Sequence, residues 1–123
     1  MDKISKLKKY IDESKKIVVF TGAGFSAESG ISTFRGAGGL WSKYDPAIYA
    51  DINRFNKDPT YYWNFFKDER YPVIQKAKPN EGHRALVKLE KMGKIYKVIT
   101  QNIDGLHQEA GPVSYTHLRA HET

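Results

Sequence analysis

A glycine-rich turn follows the first strongly apolar stretch of the chain and has the spacing of a phosphate-binding loop. Residues 17–21 are β-branched or aromatic, which predicts a short strand buried on both faces, as in a parallel sheet. Residues 22–27 then match the pattern G-x-G-x-x-G/A. In this pattern Gly22 permits the tight turn, Gly24 lets the backbone approach a pyrophosphate, and Ala27 lets a new helix pack on the strand. The amides at the start of that helix would face the phosphates.

The residues after this turn do not continue as a hydride-transfer site. A dehydrogenase fingerprint continues with a long helix, a second strand and an acidic residue about 20 positions on. Here the helix can last only about a turn before Gly30. A glycine-rich loop follows and carries Phe34 and Arg35, which suits it to closing over a bound ligand. The pattern therefore disfavours a small dehydrogenase.

Two motifs resemble those of the sirtuins, the NAD-dependent protein lysine deacylases. GAGFSAESGISTFRG, residues 22–36, is similar to the family signature that begins GAG-x-S and ends FRG. TQNIDGLH, residues 100–107, is similar to the family's TQN-[IV]-D-x-L-H. Two separate motifs in the right order and at a suitable distance are highly specific. The resemblance covers roughly residues 1–111.

The resemblance implies NAD as the cofactor. The residues that it assigns to the pyrophosphate and its surroundings are Gly22, Ala23, Gly24, Ser26 and Ala27. Phe34 corresponds to the loop aromatic that packs by the nicotinamide and shields the reactive ribose carbon. Arg35 corresponds to the loop arginine that helps to position the cofactor.

The second motif matches the pocket in which sirtuins hold nicotinamide, and its pocket residues are Gln101, Asn102, Ile103 and Asp104. The resemblance makes Asn102, near the ribose, and Asp104, which accepts from the carboxamide, the predicted catalytic residues. Displacing nicotinamide builds oxocarbenium-like charge on the ribose, so a dry pocket with fixed dipoles and a carboxylate is useful. Attack by the acyl-lysine oxygen then gives deacylated lysine, nicotinamide and O-acyl-ADP-ribose.

Each of these residues also has a purely structural explanation. Phe34 could anchor the loop, Arg35 could be a surface charge, and residues 102–105 could form a strand-ending turn with Asx chemistry. For His83 and His107 a structural hydrogen-bonding role is favoured over catalysis. The alternative function is a non-catalytic module that binds NAD or ADP-ribose without turnover.

The elements that must position these residues form an α/β fold. Apolar spacing predicts a surface helix over residues 3–14, and Asn80 and Gly93 mark the ends of a later helix. Residues 95–100 predict a second strand, so both motifs follow strand carboxyl ends, where open α/β sheets bind ligands. The resemblance implies part of a Rossmann-like parallel sheet with helices, plus part of an inserted small helical module that holds the aromatic residues 61–66.

The composition of the chain indicates which classes of partner it is expected to bind. The chain has 123 residues, 40% hydrophobic and 28% charged, which is ordinary for one globular unit. The formal charge is +6, but the lysines of residues 1–16 lack interleaved aromatics, so we predict no specific nucleic-acid partner. No apolar run has the length of a membrane span or of a signal-peptide core, and cysteine is absent. We therefore predict no membrane partner and a cytoplasmic location.

Two short segments bear on the acyl group that is removed. Ser32-Thr33 stand where the family most often has Pro-Asp, and some members, including the desuccinylase-like branch, have Thr at the second position. That branch grips acidic acyl groups with a Tyr-x-x-Arg pair, for which this chain has Phe66 and Glu69. An anion at that place favours a neutral acyl group. The predicted partner is therefore an acetylated-lysine protein or peptide.

The last residues depart from the family. After Gly111 a sirtuin continues into a strand ending L-H-G, whose histidine is the general base, and then into a four-cysteine zinc module. This chain has neither L-H-G nor cysteine. We predict that residues 1–111 are the N-terminal, NAD-binding half of a sirtuin domain and that residues 112–123 are foreign or disordered. The chain would be an inactive, truncated fragment without its zinc module. His117 and His121 lack a third ligand, so no metal site is predicted.

Overall fold

The computed structural model describes residues 2–35 and 38–111 and the backbone of residues 115–117. Two compact units make up the chain, one of Met1–Gly22 with Pro79–Thr123 and one of Ala23–Lys78. No helix in the described part is both long and apolar enough to cross a membrane. The α-helices of the described residues are α1 (Lys3–Glu13), α2 (Ala23–Ser26), α3 (Pro46–Tyr49), α4 (Ile52–Lys57), α5 (Thr60–Phe65), α6 (Tyr71–Lys76), α7 (Glu81–Lys91) and α8 (Leu106–Ala110).

The first unit contains a parallel three-stranded sheet, which confirms the predicted α/β class. Its strands are β1 (Ile17–Thr21), β2 (Ile95–Thr100) and β3 (Tyr115–His117), in the spatial order β1-β2-β3. The register pairs Thr21 with Thr100, so β1 and β2 end level with each other. The residues that follow the two strands are therefore neighbours.

The prediction that β1 is buried on both faces is wrong. Val18 and Phe20 are 55% and 57% exposed, whereas Thr21 is buried. The apolar sequence shows that the strand could be covered on both sides, but burial also requires an element packed on each face. Tyr96 on β2 is likewise exposed. This sheet thus presents apolar side chains to solvent.

Helix α1 is amphipathic as predicted, but its apolar stripe is exposed, including Ile4 and Leu7. Asp2 caps its start by accepting a hydrogen bond from the amide of Ser5 at 2.7 Å. Lys94 holds its other end, donating from Nζ to the carbonyls of Asp12 and Ser14 at 3.0 and 3.1 Å. These carbonyls belong to the last turn, where a cation is favourable.

Helix α7 begins with reciprocal capping. The Asn80 side chain accepts from the amides of Gly82 and His83, and His83 Nδ1 accepts from the Asn80 amide at 3.0 Å. The predicted cap is confirmed, and Gly93 ends the helix with a left-handed φ of 76°. The buried residues of the helix are His83, Leu86 and Val87, whereas Met92, just after its end, is exposed.

The second unit begins with α2 and a 3-10 turn, Ala27–Ser29, which Gly30 terminates at a φ of 91°. The helix after the glycine-rich turn is therefore as short as predicted. Helices α3 and α4 were not predicted, although each begins with an aspartate, Asp45 or Asp51, that accepts from a backbone amide two residues on. The aromatic run packs as expected, with the Phe65 ring 4.8 Å from that of Tyr44.

Candidate functional site

The two motifs meet where β1 and β2 end. Asn102 Nδ2 donates a hydrogen bond to the carbonyl oxygen of Gly22 at 2.9 Å. The amide of Gln101 donates to the carbonyl of Thr21 at 3.1 Å and so continues the strand pairing by one residue. The start of the phosphate-binding pattern and the start of the second motif are thus one connected structure.

Thr100 orients Asn102. The Thr100 hydroxyl accepts from the amide of Asn102 at 3.0 Å, in a turn typical of a side chain that bonds the backbone two residues on. Thr100 is itself buried, so this turn rests on the interior of the unit. The backbone amide of Asn102 is thus held by Thr100, and its side-chain amide is held by the carbonyl of Gly22.

Backbone conformation does not explain Gly22 and Gly24, the two glycines of the phosphate-binding pattern. Neither Gly22 nor Gly24 has φ in the left-handed region, so the expected need for glycine in the turn at Gly22 is wrong. A Cβ at Gly22 would lie an ordinary 3.6 Å from Gln101 Oε1, and a Cβ at Gly24 would meet no atom of the described residues within 4 Å. The described residues therefore give no steric reason for glycine at either position. Close approach of a pyrophosphate to the backbone at Gly24 stays a prediction.

Asp104 has a structural task. Its Oδ1 accepts from the amide of Leu106 at 3.0 Å and starts α8, after Gly105 has turned the chain with a φ of 71°. Leu106 is buried, whereas Ile103 is exposed. The Asx chemistry considered for residues 102–105 is therefore present. A second role of the Asp104 carboxylate, in accepting a hydrogen bond from the carboxamide of nicotinamide, stays a prediction.

A buried histidine pair lies beneath this end of the sheet. The hydroxyl of Thr21 and Nε2 of His107 are 2.9 Å apart, and both side chains are 3% exposed. The ring of His83 lies edge-on to that of His107, with centroids 5.0 Å apart. Both histidines thus have the structural roles predicted for them.

Burial lowers the pKa of both histidines. It lowers the pKa of His83 below its usual value, against the opposing charge of Asp104 and with a smaller lowering by Arg84. Burial also lowers the pKa of His107, helped by the charge of His83 and opposed by Asp104. Since His83 Nδ1 accepts from the Asn80 amide, the proton of the neutral ring is assigned to Nε2.

The loop residues lie in the second unit. The amides of Leu40 and Trp41 donate to the carbonyls of Thr33 and Phe34, both at 2.8 Å, and close the loop. The ring of Phe34 is 39% exposed and packs against that of Trp41, with centroids 5.4 Å apart. Arg35 is exposed, and its carbonyl accepts from the Thr33 hydroxyl at 2.8 Å.

The comparisons with known proteins decide the family. The model of the Sir2 family matches residues 22–121. The chain belongs to the Sir2 family. The match runs into residues 112–123, whose predicted foreign origin stays a prediction; most of that stretch, with the side chains of His117 and His121, lies outside the described residues.

Individual relatives of this Sir2-family chain agree. An NAD-dependent protein deacetylase of Caldivirga maquilingensis is 49% identical over 113 residues, which are 92% of this chain and 43% of the relative. NAD-dependent protein deacylase 2 of Archaeoglobus fulgidus is 51% identical over 110 residues, 89% of this chain and 43% of the relative. The chain thus spans under half the length of these relatives.

A solved structure extends the similarity to the fold. A Sir2 variant with a deacetylated p53 peptide and 3'-O-acetyl ADP-ribose is 43% identical, with a TM-score of 0.86 over 95% of this chain and 47% of that chain. This supports the Rossmann-like sheet with helices that the sequence predicts.

The structure brings together only some of the predicted site residues of this Sir2-family chain. Gly22, Gln101 and Asn102 adjoin in the first unit, with Ile103 and Asp104 following in the same segment. The predicted site residues of the second unit are Ala23, Gly24, Ser26, Ala27, Phe34 and Arg35. Among these, Ser26 is buried, whereas Gly24 and Ala27 are exposed. Their roles in binding NAD stay predictions.

Sequence reasoning missed the threonines that close the two strands and the arginine, Arg70, that contacts Phe34. The sequence did carry a signal for the two threonines, because each predicted strand ends in a hydroxyl residue. Thr21 and Thr100 are paired in the sheet. Within the described residues no group of three or more His, Cys, Asp or Glu side chains could hold a metal ion.

Proposed function

We propose that this chain carries the NAD-binding part of a cytoplasmic NAD-dependent protein lysine deacetylase, which transfers an acetyl group to ADP-ribose and releases nicotinamide. The observation that carries the proposal is the hydrogen bond from Asn102 Nδ2 to Gly22 O. It joins the two Sir2 motifs at the carboxyl ends of neighbouring parallel strands, the place where open α/β sheets bind ligands.

The turn after β1 would hold the pyrophosphate of NAD. Gly22, Ala23 and Gly24 supply backbone amides there, with Ser26 and Ala27 nearby. The empty space at Gly24 supports this role, because a side chain would occupy it and nothing in the protein requires its absence. Helix α2 has only four residues, so we assign the binding to the backbone of the turn and not to a helix dipole.

The second motif would hold the nicotinamide and its ribose. Bound NAD would supply the ribose carbon that the acyl oxygen attacks. Asp104 would accept from the carboxamide, and Asn102, fixed by Thr100 and Gly22, would lie near the ribose together with Gln101 and Ile103. Phe34 would exclude water from the reacting carbon, and Arg35 would position the cofactor.

Calorimetric titration with ADP-ribose and with NAD tests the binding step. We expect Gly24→Ala to weaken ADP-ribose binding at least tenfold while the melting temperature changes little, since the new Cβ meets no protein atom. Gly93→Ala is the matched control. It strains a left-handed residue and lowers stability by about 1 kcal/mol, but it should leave binding intact. Equal binding by wild type and Gly24→Ala would contradict the proposed pyrophosphate site.

Nicotinamide release from NAD in the presence of an acetyl-lysine peptide separates the deacetylase from the alternative. The alternative is a module that binds NAD or ADP-ribose without turnover. Release would support the deacetylase and contradict the module. Binding without release would contradict turnover by this chain, and it is expected both of the module and of an inactive N-terminal half of the deacetylase.

We further propose an acetylated-lysine peptide or protein as the partner, in line with the peptide held by the similar Sir2 structure. Glu69 supports a neutral acyl group. Its carboxylate accepts a hydrogen bond from Tyr44 and thereby raises the pKa of that phenol. An acidic acyl group brought to this carboxylate would be repelled. Competition between acetyl-lysine and succinyl-lysine peptides should therefore favour acetyl, and a preference for succinyl would contradict this.

A further inference from the structure

A π-helical turn, Phe66–Arg70, separates α5 from α6 in the second unit. Its signature is a hydrogen bond from the amide of Tyr71 to the carbonyl of Phe66, five residues back. Pro72 accounts for the turn, because proline has no amide hydrogen and its ring would collide with the carbonyl of Asp68 in a regular helix. The wider turn relieves this collision. Such turns often coincide with functional positions.

Arg70, the last residue of the π turn, contacts the loop that carries Phe34. Its Cζ lies 4.9 Å from the centroid of the Phe34 ring. Its Nη1 donates a long hydrogen bond of 3.4 Å to the carbonyl of Ser32. One side chain thus contacts both the ring of Phe34 and the backbone that precedes it.

The loop backbone is fixed independently of Arg70. Two hydrogen bonds join residues 33 and 34 to residues 40 and 41. Gly39 permits this closure, since a Cβ there would lie 2.7 Å from the carbonyl oxygen of Arg35. The side chain of Phe34 is nevertheless 39% exposed. Within the described part of the chain, ring contacts with Arg70 and Trp41 orient this side chain.

We infer that Arg70 is a positioning residue that holds the Phe34 ring in the orientation needed for cofactor binding. The effect on cofactor binding rests on the proposed function. The planar guanidinium is attracted to the negative face of the ring. A ring that is already ordered loses less side-chain entropy when a ligand packs against it. Arg70 acts through Phe34 and need not touch the reacting atoms.

The positioning role can be tested without ligand. The chain has two tryptophans, and Trp41 contacts Phe34, so its indole N–H resonance reports on that ring. We expect Arg70→Gln to shift this resonance and to weaken the nuclear Overhauser effects between Phe34 and Trp41. Arg70→Lys, which keeps the cation, should restore part of both. Lys67→Gln removes a cation from the same π turn and is the matched control, with wild-type values expected.

Calorimetric titration with ADP-ribose then measures the consequence. We expect Arg70→Gln to raise the Kd about 3- to 10-fold, Arg70→Lys to raise it less, and Lys67→Gln to leave it unchanged. If Arg70→Gln matches Lys67→Gln in the Trp41 resonance and in Kd, the positioning role is refuted. If wild type does not bind ADP-ribose, the proposed binding function fails, and the resonance and Overhauser effects alone decide the role of Arg70.

Discussion

The hydroxyl of Thr21 and the Nε2 atom of His107 lie 2.9 Å apart in the interior of the first unit, although 86 positions separate them in the chain. The contact ties the last residue of β1 to His107, which is the last residue of the second motif and lies in α8. It thereby fixes the strand end that carries Gly22 against the segment that carries Asn102. The packing of the interior and the geometry of the proposed site are coupled at this bond.

Loss of this hydrogen bond should be costly. We expect Thr21→Val, which keeps the side-chain shape, to lower the free energy of unfolding by about 1–3 kcal/mol, because it leaves a buried ring nitrogen without this partner. Urea unfolding measures the change. Thr60→Val alters an exposed threonine and should stay within about 0.5 kcal/mol of wild type. A Thr21→Val variant as stable as wild type would show that the contact contributes nothing.

The buried histidine pair predicts a pH dependence of stability. Burial lowers the pKa of His83 and His107 in the folded chain, so between those values and the ordinary value of about 6.5 the unfolded chain binds more protons. Stability should therefore be complete above pH 6.5 and decline as the pH falls below it. Asp104 opposes this decline because its charge raises both pKa values.

Urea titrations between pH 7.5 and 5.5 measure this slope above the range in which ordinary carboxylates titrate. We expect His107→Gln, which removes one titrating ring, to reduce the loss of stability on acidification while lowering stability at pH 7.5. An unchanged slope in His107→Gln, or a wild-type chain that gains stability on acidification, would contradict the assignment.

The sequence predicted those elements that local chemistry specifies. The bounds of β1 and β2 follow from runs of β-branched and aromatic residues, interrupted in β2 by Lys97, and α7 follows from Asn80 at its start and Gly93 at its end. The two motifs adjoin because both follow parallel strands. These features need no knowledge of distant neighbours.

Other features depend on tertiary packing and could not be predicted. Whether Val18 and Phe20 are covered depends on the elements packed beside the sheet and not on β1 itself. The contact of Arg70 with Phe34 depends on a π turn whose only local sign is Pro72. The hydrogen bond from Asn102 to Gly22 requires the exact register of β1 and β2.

Asn102 offers a test of that connection. Asn102→Asp replaces the donor with a carboxylate facing the carbonyl of Gly22, so we expect a stability loss of about 1–3 kcal/mol and weaker ADP-ribose binding. Asn102→Ala should cost less stability, since it introduces no repulsion. Asn64→Ala, at an exposed position of α5, should resemble wild type. Wild-type stability and binding in Asn102→Asp would contradict the importance of the bond.

Lys94 should stabilise α1 locally. Lys94→Met removes the donor to the carbonyls of Asp12 and Ser14, and no residue of α1 is buried to compensate. We expect faster amide hydrogen exchange within α1 and a loss of about 0.3–1 kcal/mol. Lys88→Met, at an exposed position of α7, is the control. Equal exchange in the two variants would show that Lys94 does not hold the helix.

The exposed apolar side chains of β1 should promote self-association, because water-exposed apolar surface is removed when two molecules meet. Within the described residues β1 pairs with β2 alone, which leaves its other edge open to a further strand.

Phe20→Thr keeps a strand-forming residue while removing a ring that is 57% exposed. We expect it to shift the sedimentation profile toward monomer and to change unfolding stability by less than about 1 kcal/mol. Ile52→Thr removes an apolar side chain that is 66% exposed, on α4 in the second unit, and should leave association unchanged. If the two variants associate alike, surface hydrophobicity in general, and not the face of β1, drives the association.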